Sequence, residues 1–280
     1  MSFDRTALKM LENQIYSYCG IRYGDQLDSL QSKISDRIRE LGVSLWTYLE
    51  RLKNHPEEWD HLIERITLNE TYFFREENQL RDFVEVLKKW PHDRNGKIRI
   101  WSAACSTGEE PYTLAMLIAD SGAVPLERVE IVASDINKKA LRTAETGWYP
   151  KNSLSFRRTP WEIKKKYFDE KGDGFQVKPF IAERVRFTYL NLLGDRREYE
   201  RIGKADIVFC RNVLIYFDRD AIAEIADRLY KTLNPGGYLF LGHSETLQDH
   251  RHLFDVIFTD FSYYYRRKEQ SEKRNAAGAT

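Results

Sequence analysis

The sequence predicts an α/β fold: a doubly wound, mostly parallel sheet, preceded by a small N-terminal all-helical domain and carrying a small inserted antiparallel β-subdomain. Three observations support that expectation. Up to about residue 90, apolar residues recur at helical spacing and no good strand is found. After Asn95-Gly96, short β-branched runs alternate with helical segments, the signature of βαβ units. Between Trp148 and Arg184 this rhythm breaks into a polar, basic stretch that includes Lys164-Lys-Lys166 and the turn signal Lys171-Gly-Asp-Gly174.

In chain order, Leu27, Leu30, Ile34, Ile38 and Leu41 fall at steps of three and four and line one helical face. Gly42 provides a stop, and Leu45, Trp46 and Leu49 open the next helix. Further helices are predicted over His55–Leu68 and Glu77–Trp90, the second closed by Pro91. Strands are predicted over Ile98–Ala104, Val129–Ile136, Val185–Leu192, Ala205–Asn212, Gly237–Ser244 and Val256–Tyr265, the last as an added antiparallel edge. Helices between them are expected over Glu110–Ser121, Lys138–Thr146 and Asp220–Leu233. Phe175–Ile181 alternates enough to be a strand of the inserted flap. The expected division is a helical domain with interlobe linker over 1–75, a sheet domain over 76–268 with its β-subdomain at about 150–186, and a disordered polar tail over 269–280.

A chain of 280 residues is long enough for one large α/β domain and a smaller companion. Its 44 basic and 43 acidic side chains leave a net charge of +1, so no global field draws it to nucleic acid or membrane, and any basic recognition surface must be local. Cys19, Cys105 and Cys210 are odd in number and widely spaced, which argues against a disulfide framework or a zinc site and fits a reducing compartment. No stretch approaches the roughly 18 apolar residues of a membrane span. A cytoplasmic monomer with no metal is the expectation.

In an open α/β sheet, ligands bind beyond the carboxyl ends of the strands, near the point where strand order reverses. The first strand ends in Ala103-Ala-Cys-Ser-Thr-Gly108, small residues that let a ligand approach the backbone and open a helix, although a tight turn without a ligand would look the same. The second ends in Ser134-Asp135, 27 residues beyond Gly108, where an acidic side chain can accept hydrogen bonds from a ribose diol or cap the helix at Lys138. Asn191 and Asn212 end the third and fourth strands and could hold the two ends of a nucleoside ligand or cap their own loops. A dehydrogenase would want a glycine-rich pyrophosphate turn, and only one glycine stands here.

With these residues assembled, the chain resembles the CheR-type chemotaxis receptor methyltransferases over roughly residues 5–267. The segments that carry the likeness are Thr67–Glu76, Trp101–Tyr112, Ala133–Asn137, Asn191–Leu193 and Phe209–Phe217. The resemblance implies the class I fold of enzymes dependent on S-adenosyl-L-methionine (SAM). It also implies transfer of methyl groups to glutamate side chains of chemoreceptors, with S-adenosyl-L-homocysteine (SAH) as product. Cofactor contacts would come from Asn69, Thr71 and Arg75 on the linker and from Glu110, Asp135, Asn191, Leu192, Asn212 and Val213 on the sheet. Arg75 and Tyr216 would act at the transfer step, and Lys33, Arg37 and Arg39 on a basic helix would meet the receptor, although Arg39 points away from the face that Lys33 and Arg37 share. Spacing alone marks none of the linker residues, and it reads Tyr72, Phe73 and Phe74 as interlobe core. Some members of the family dock a receptor peptide on this flap, and the turn at Lys171-Gly-Asp-Gly174 is short relative to that subgroup, so no receptor tether is expected. Rival readings are a SAM-binding sensor acting through protein contacts and a methyltransferase with another acceptor, such as RNA, for which no basic patch interleaved with aromatics is found.

Overall fold

A computed structural model describes residues 3–90 and 96–269. The chain begins with a helical lobe of four helices, α1 (Arg5–Cys19), α2 (Leu27–Leu41), α3 (Leu45–Asn54) and α4 (Glu57–Ile66). The sequence reading singled out no helix before Leu27. α1 forms there because Asp4 accepts the Thr6 N–H at 2.8 Å and Gly20 ends it at φ 76°. The predicted face of α2 is the buried one: Leu30, Ile34 and Ile38 pack with Leu11, Ile15, Tyr48, Leu49 and Leu62 into a core of their own. Glu58 is buried beneath it and is held at 2.8 Å by Arg37 and at 3.1 Å by Arg51.

A linker leads to α5 (Glu77–Lys88) and then to the sheet domain, which runs β1 (Ile98–Ala103), α6 (Glu109–Ser121), β2 (Val129–Asp135) and α7 (Lys138–Thr146). Next comes the inserted subdomain: β3 (Trp148–Pro150), α8 (Trp161–Tyr167), β4 (Phe168–Lys171), β5 (Gly174–Val177) and α9 (Pro179–Ala182). The chain then returns through β6 (Val185–Tyr189), β7 (Ala205–Cys210), α10 (Arg219–Thr232), β8 (Leu233–Leu241), β9 (Phe254–Phe258) and β10 (Tyr263–Arg267). The main sheet has seven strands in the order β6-β2-β1-β7-β8-β10-β9, with β10 antiparallel to both neighbours, and the small sheet is ordered β3-β5-β4. Two apolar layers cover the main sheet, one built on Phe83, Ile100, Tyr112 and Phe209, the other on Trp101, Val208, Leu229 and Leu239.

Three expectations need correction. The run Val256–Tyr265 is not one edge strand but a hairpin, β9 and β10, because Thr259 turns the chain by accepting N–H groups of Phe261 and Ser262 on its hydroxyl. β8 starts at Leu233 rather than Gly237, and the Asn-Pro-Gly-Gly segment is absorbed as a bulge, with partners stepping from Leu233 to Tyr238 opposite Ala205 and Ile207. The flap strand stops at Val177, since Pro179 opens a helical turn where its missing N–H costs nothing. Pro91, Asn95 and the tail from residue 270 onward lie outside the described residues.

β1 sits at the centre, and its end is level with both neighbours: Ala103 stands opposite Ser134 of β2 and Cys210 of β7. Winding runs outward from β1 through β2 to β6, then restarts on the other side at β7, so the reversal point lies beyond Ala103.

Candidate functional site

Beyond that point the backbone is bent in an unusual way. Ala104 and Ser106 adopt left-handed conformations at φ 58° and 50°, followed by Gly108 at φ 95°. Among the described residues, the other non-glycine residues at positive φ are Phe74, Glu76 and Asn212, which border the same place. Strain gathered at one spot marks a constrained site. Gly108 is required there: a Cβ would lie 2.8 Å from the Ala144 Cβ, so α6 and α7 could not meet as they do.

Asp135 is buried at the end of β2 and accepts the N–H of Ser106 and of Asn137, both at 2.8 Å. Burial pushes its carboxyl above the ordinary aspartate range, against the pull of those N–H groups. The cap of α7 is not Asp135 but Asn137, whose side chain accepts from Lys139 and Ala140. The β2 carboxylate is therefore not used up in capping, which is what an acceptor for a ribose diol requires.

The two asparagines are more committed than their position suggested. Asn191 donates to the Tyr18 carbonyl at 2.6 Å and accepts the Leu193 N–H, so its side chain caps its loop and ties the lobes together. Asn212 donates to Glu76 at 2.8 Å. Both still line the cleft, as do Leu192 and Val213.

A charged cluster that the spacing did not reveal lies behind the site. Arg211, buried between β7 and the linker, donates to Glu110 at 2.7 Å and to the Arg75 carbonyl at 3.0 Å, and it stands 3.6 Å from Glu76. Glu110 also accepts the Ser102 hydroxyl at 2.6 Å. Burial raises the Glu76 pKa, but Arg211 and His243 outweigh it and hold the carboxyl below the usual range. Glu245 is buried as well and accepts four backbone N–H groups, from Asn212, Val213, Leu214 and Gly242, at 2.6–2.7 Å. It sets the loop that carries Asn212 and Val213 and leads to Tyr216. A charged residue within an apolar run, as in Phe209-Cys-Arg-Asn, was the available signal for Arg211.

One cleft of about 410 Å³ lies between the two lobes. Asn69, Thr71, Arg75, Glu110, Asp135, Asn191, Leu192, Asn212, Val213 and Tyr216 all line it. Arg75 donates to the Glu70 carbonyl at 2.8 Å. Burial pushes the Tyr216 phenol, already protonated at neutral pH, above its ordinary pKa. Of the three residues read as interlobe core, Phe73 is fully buried, but among Tyr149, Phe156 and Phe168 of the inserted subdomain. Tyr72 is half-buried beneath the Arg157 guanidinium.

The basic residues of α2 do not gather into one patch. Lys33 turns into the cleft and donates to the Ile66 carbonyl at 2.9 Å, Arg37 is tied to Glu58, and Arg39 is exposed and paired with Asp36. From α1 and the turn after it, Cys19, Ile21 and Tyr23 also reach the cleft, a contribution the sequence did not indicate.

Two family patterns account for most of the chain. The one described as CheR methyltransferase, all-alpha domain matches residues 6–67, and the one described as CheR methyltransferase, SAM binding domain matches residues 69–262. The chain is 40% identical over 237 residues to chemotaxis protein methyltransferase 2 of Vibrio cholerae serotype O1, covering 82% of this chain and 81% of that protein. It is 37% identical over 265 residues to chemotaxis protein methyltransferase 1 of Pseudomonas aeruginosa (89% and 93% covered). With the chemotaxis protein methyltransferase of Escherichia coli K12 it shares 36% identity over 244 residues (85% and 83% covered).

Proposed function

The chain belongs to the CheR methyltransferase family, and from that premise we propose that it transfers the methyl group of SAM to glutamate side chains of chemoreceptors, giving glutamate methyl esters. One observation carries the reading: a single interlobe cleft gathers every residue that the family resemblance assigns to the cofactor, with Arg75 and Tyr216 beside them. Its volume lies in the range of about 300–1,000 Å³ that small-molecule sites occupy. The acceptor set suits the ligand: Asp135 for a ribose diol and Glu110 for an ammonium group, with bent backbone at Ala104–Ser106 that allows close approach.

SAM supplies a methyl group on a sulfonium, ready for attack by a weak nucleophile. A glutamate acceptor, with an ordinary pKa near 4.3, is already an anion at neutral pH, so no general base is needed. The work left to the chain is positioning and removal of water from the carboxylate. Tyr216, kept protonated, donates a hydrogen bond to the acceptor, and the Arg75 guanidinium clamps a carboxylate at the same end of the cleft. Of the α2 basic residues, Arg39 is the one exposed to a receptor, and the enzyme acts as a monomer on the cytoplasmic side.

The test is transfer of labelled methyl groups to receptor-containing membranes. Label on receptor glutamates that mild alkali releases is the expected result. Measurable SAH binding without any transfer would favour a sensor and refute the enzyme reading.

A further inference from the structure

Glu109 opens α6 and is fully buried, yet the transfer chemistry leaves it unused. Its neighbour Glu110 lines the cleft and pairs with Arg211; Glu109 does neither. Both of its carboxylate oxygens are taken by hydroxyls, Oε1 accepting from Ser155 and Oε2 from Thr107, each at 2.7 Å. A buried carboxylate is tolerated only where such bonds satisfy it, so it constrains the groups that make them.

Those groups belong to segments that shape the cleft. Thr107 follows Ser106, whose N–H binds Asp135. Ser155, in the inserted subdomain, accepts the Phe73 N–H on its carbonyl at 2.9 Å. The Glu109 backbone reaches the same stretch of linker: its carbonyl accepts the Thr113 hydroxyl at 2.7 Å, and Thr113 accepts the Phe74 N–H at 3.1 Å. The linker is thus gripped at two successive N–H groups just before Arg75. Its backbone is bent against preference there, with Phe74 at φ 62° and Glu76 at φ 59° on either side of Arg75. Left-handed backbone at non-glycine residues persists only where the surroundings enforce it. Glu109 is the residue on which those restraints converge.

We propose that Glu109 is a positioning residue: through Ser155 and Thr113 it fixes the linker so that Arg75 stands in the cleft in the geometry that transfer requires. It acts without touching cofactor or acceptor. The inference rests on Arg75 acting in the transfer, and it deepens that reading.

A double-mutant cycle, read as kcat/KM for labelled methyl transfer to receptor-containing membranes at saturating SAM, tests it. Glu109→Ala should lower kcat/KM about tenfold or more. Arg75→Ala should lower it too, and adding Glu109→Ala to that variant should cost less than about twofold further. Losses that multiply in the double variant would overturn the proposal, and so would full activity of Glu109→Ala. Glu109→Gln can rebuild both bonds, since a hydroxyl accepts as well as donates, and should keep kcat/KM within about threefold. A loss as deep as that of the alanine variant would overturn the proposal by making the charge the requirement. Should Glu109→Ala fail to fold, Ser155→Ala, which removes one bond to the carboxylate, carries the cycle on the same criteria. Full activity of Arg75→Ala would overturn the proposal together with the role of Arg75. Absence of transfer by the unmodified chain is the distinct failure of the enzyme reading, and the proposal falls with it.

Discussion

Tyr216 and Arg37 show how differently two polar residues on one chain are used. Burial pushes the Tyr216 phenol above its ordinary pKa, and the role proposed for it is one hydrogen bond to a charged acceptor. Such a bond is worth about 1.5–3 kcal/mol, so Tyr216→Phe should lower kcat by about 10- to 100-fold while the Kd for SAH stays unchanged. Arg37 serves the fold of the helical lobe. Its guanidinium grips the buried Glu58 with two bonds of 2.8 Å, and Arg37→Ala leaves that charge to Arg51 alone at a cost of about 1–3 kcal/mol, read as a lower urea midpoint. Burial alone would raise the Glu58 pKa, but Arg37 and Arg51 prevail and hold it at about 2. Because the folded pKa is depressed, the stabilisation is present above the unfolded value and is lost as pH falls from about 4.5 toward about 2. Glu58→Gln should flatten the dependence of the urea midpoint on pH across that window. The sequence could not separate these roles, since Lys33 and Arg37 share a face by spacing while only a long-range partner decides which one is engaged.

At the scale of the elements, the βαβ rhythm was legible because parallel strands buried on both faces read as near-continuous apolar runs, and Ile98–Ala103 and Ala205–Cys210 are apolar apart from Arg99, Ser102 and Asp206. The hairpin of β9 and β10 was not, since its turn is closed by one threonine hydroxyl instead of a glycine or proline signal. Helix α8 was hidden by its composition, with Lys164, Lys165 and Lys166 in its last turn. The turn between β1 and α6 was legible as small residues, but the reason for Gly108 lies across the fold in Ala144. Gly108→Ala should push α6 from α7, cost about 1–3 kcal/mol and weaken SAH binding, because Ser106 and Asp135 are bonded across that junction. Gly122→Ala, also at positive φ but with open space around the added carbon, is the control: it should cost only the backbone strain, about 1 kcal/mol, and leave SAH binding intact. Thermal melts and titrations of the two variants check both statements.

For the whole molecule, the cleft exists only because two lobes are held together. Polar ties at its margins are Asn191 to Tyr18, Asn137 to Thr67, and the ion pairs of Arg22 with Asp218, Lys138 with Asp60 and Arg142 with Glu64. Exposed ion pairs of this kind contribute under about 1 kcal/mol each, so no single one of them holds the lobes together. None of these ties could be read from one sequence, because each joins residues far apart in the chain. The strand-end residues could be read, because fold topology alone places them together. We therefore place the cofactor in the interlobe cleft, with Asp135 at its base. Titrating SAH into the unmodified chain and into Asp135→Ala tests it most directly. One site per chain in the unmodified protein, weakened at least about tenfold in the variant, is the expected result, whereas equal affinity in the two proteins would contradict it.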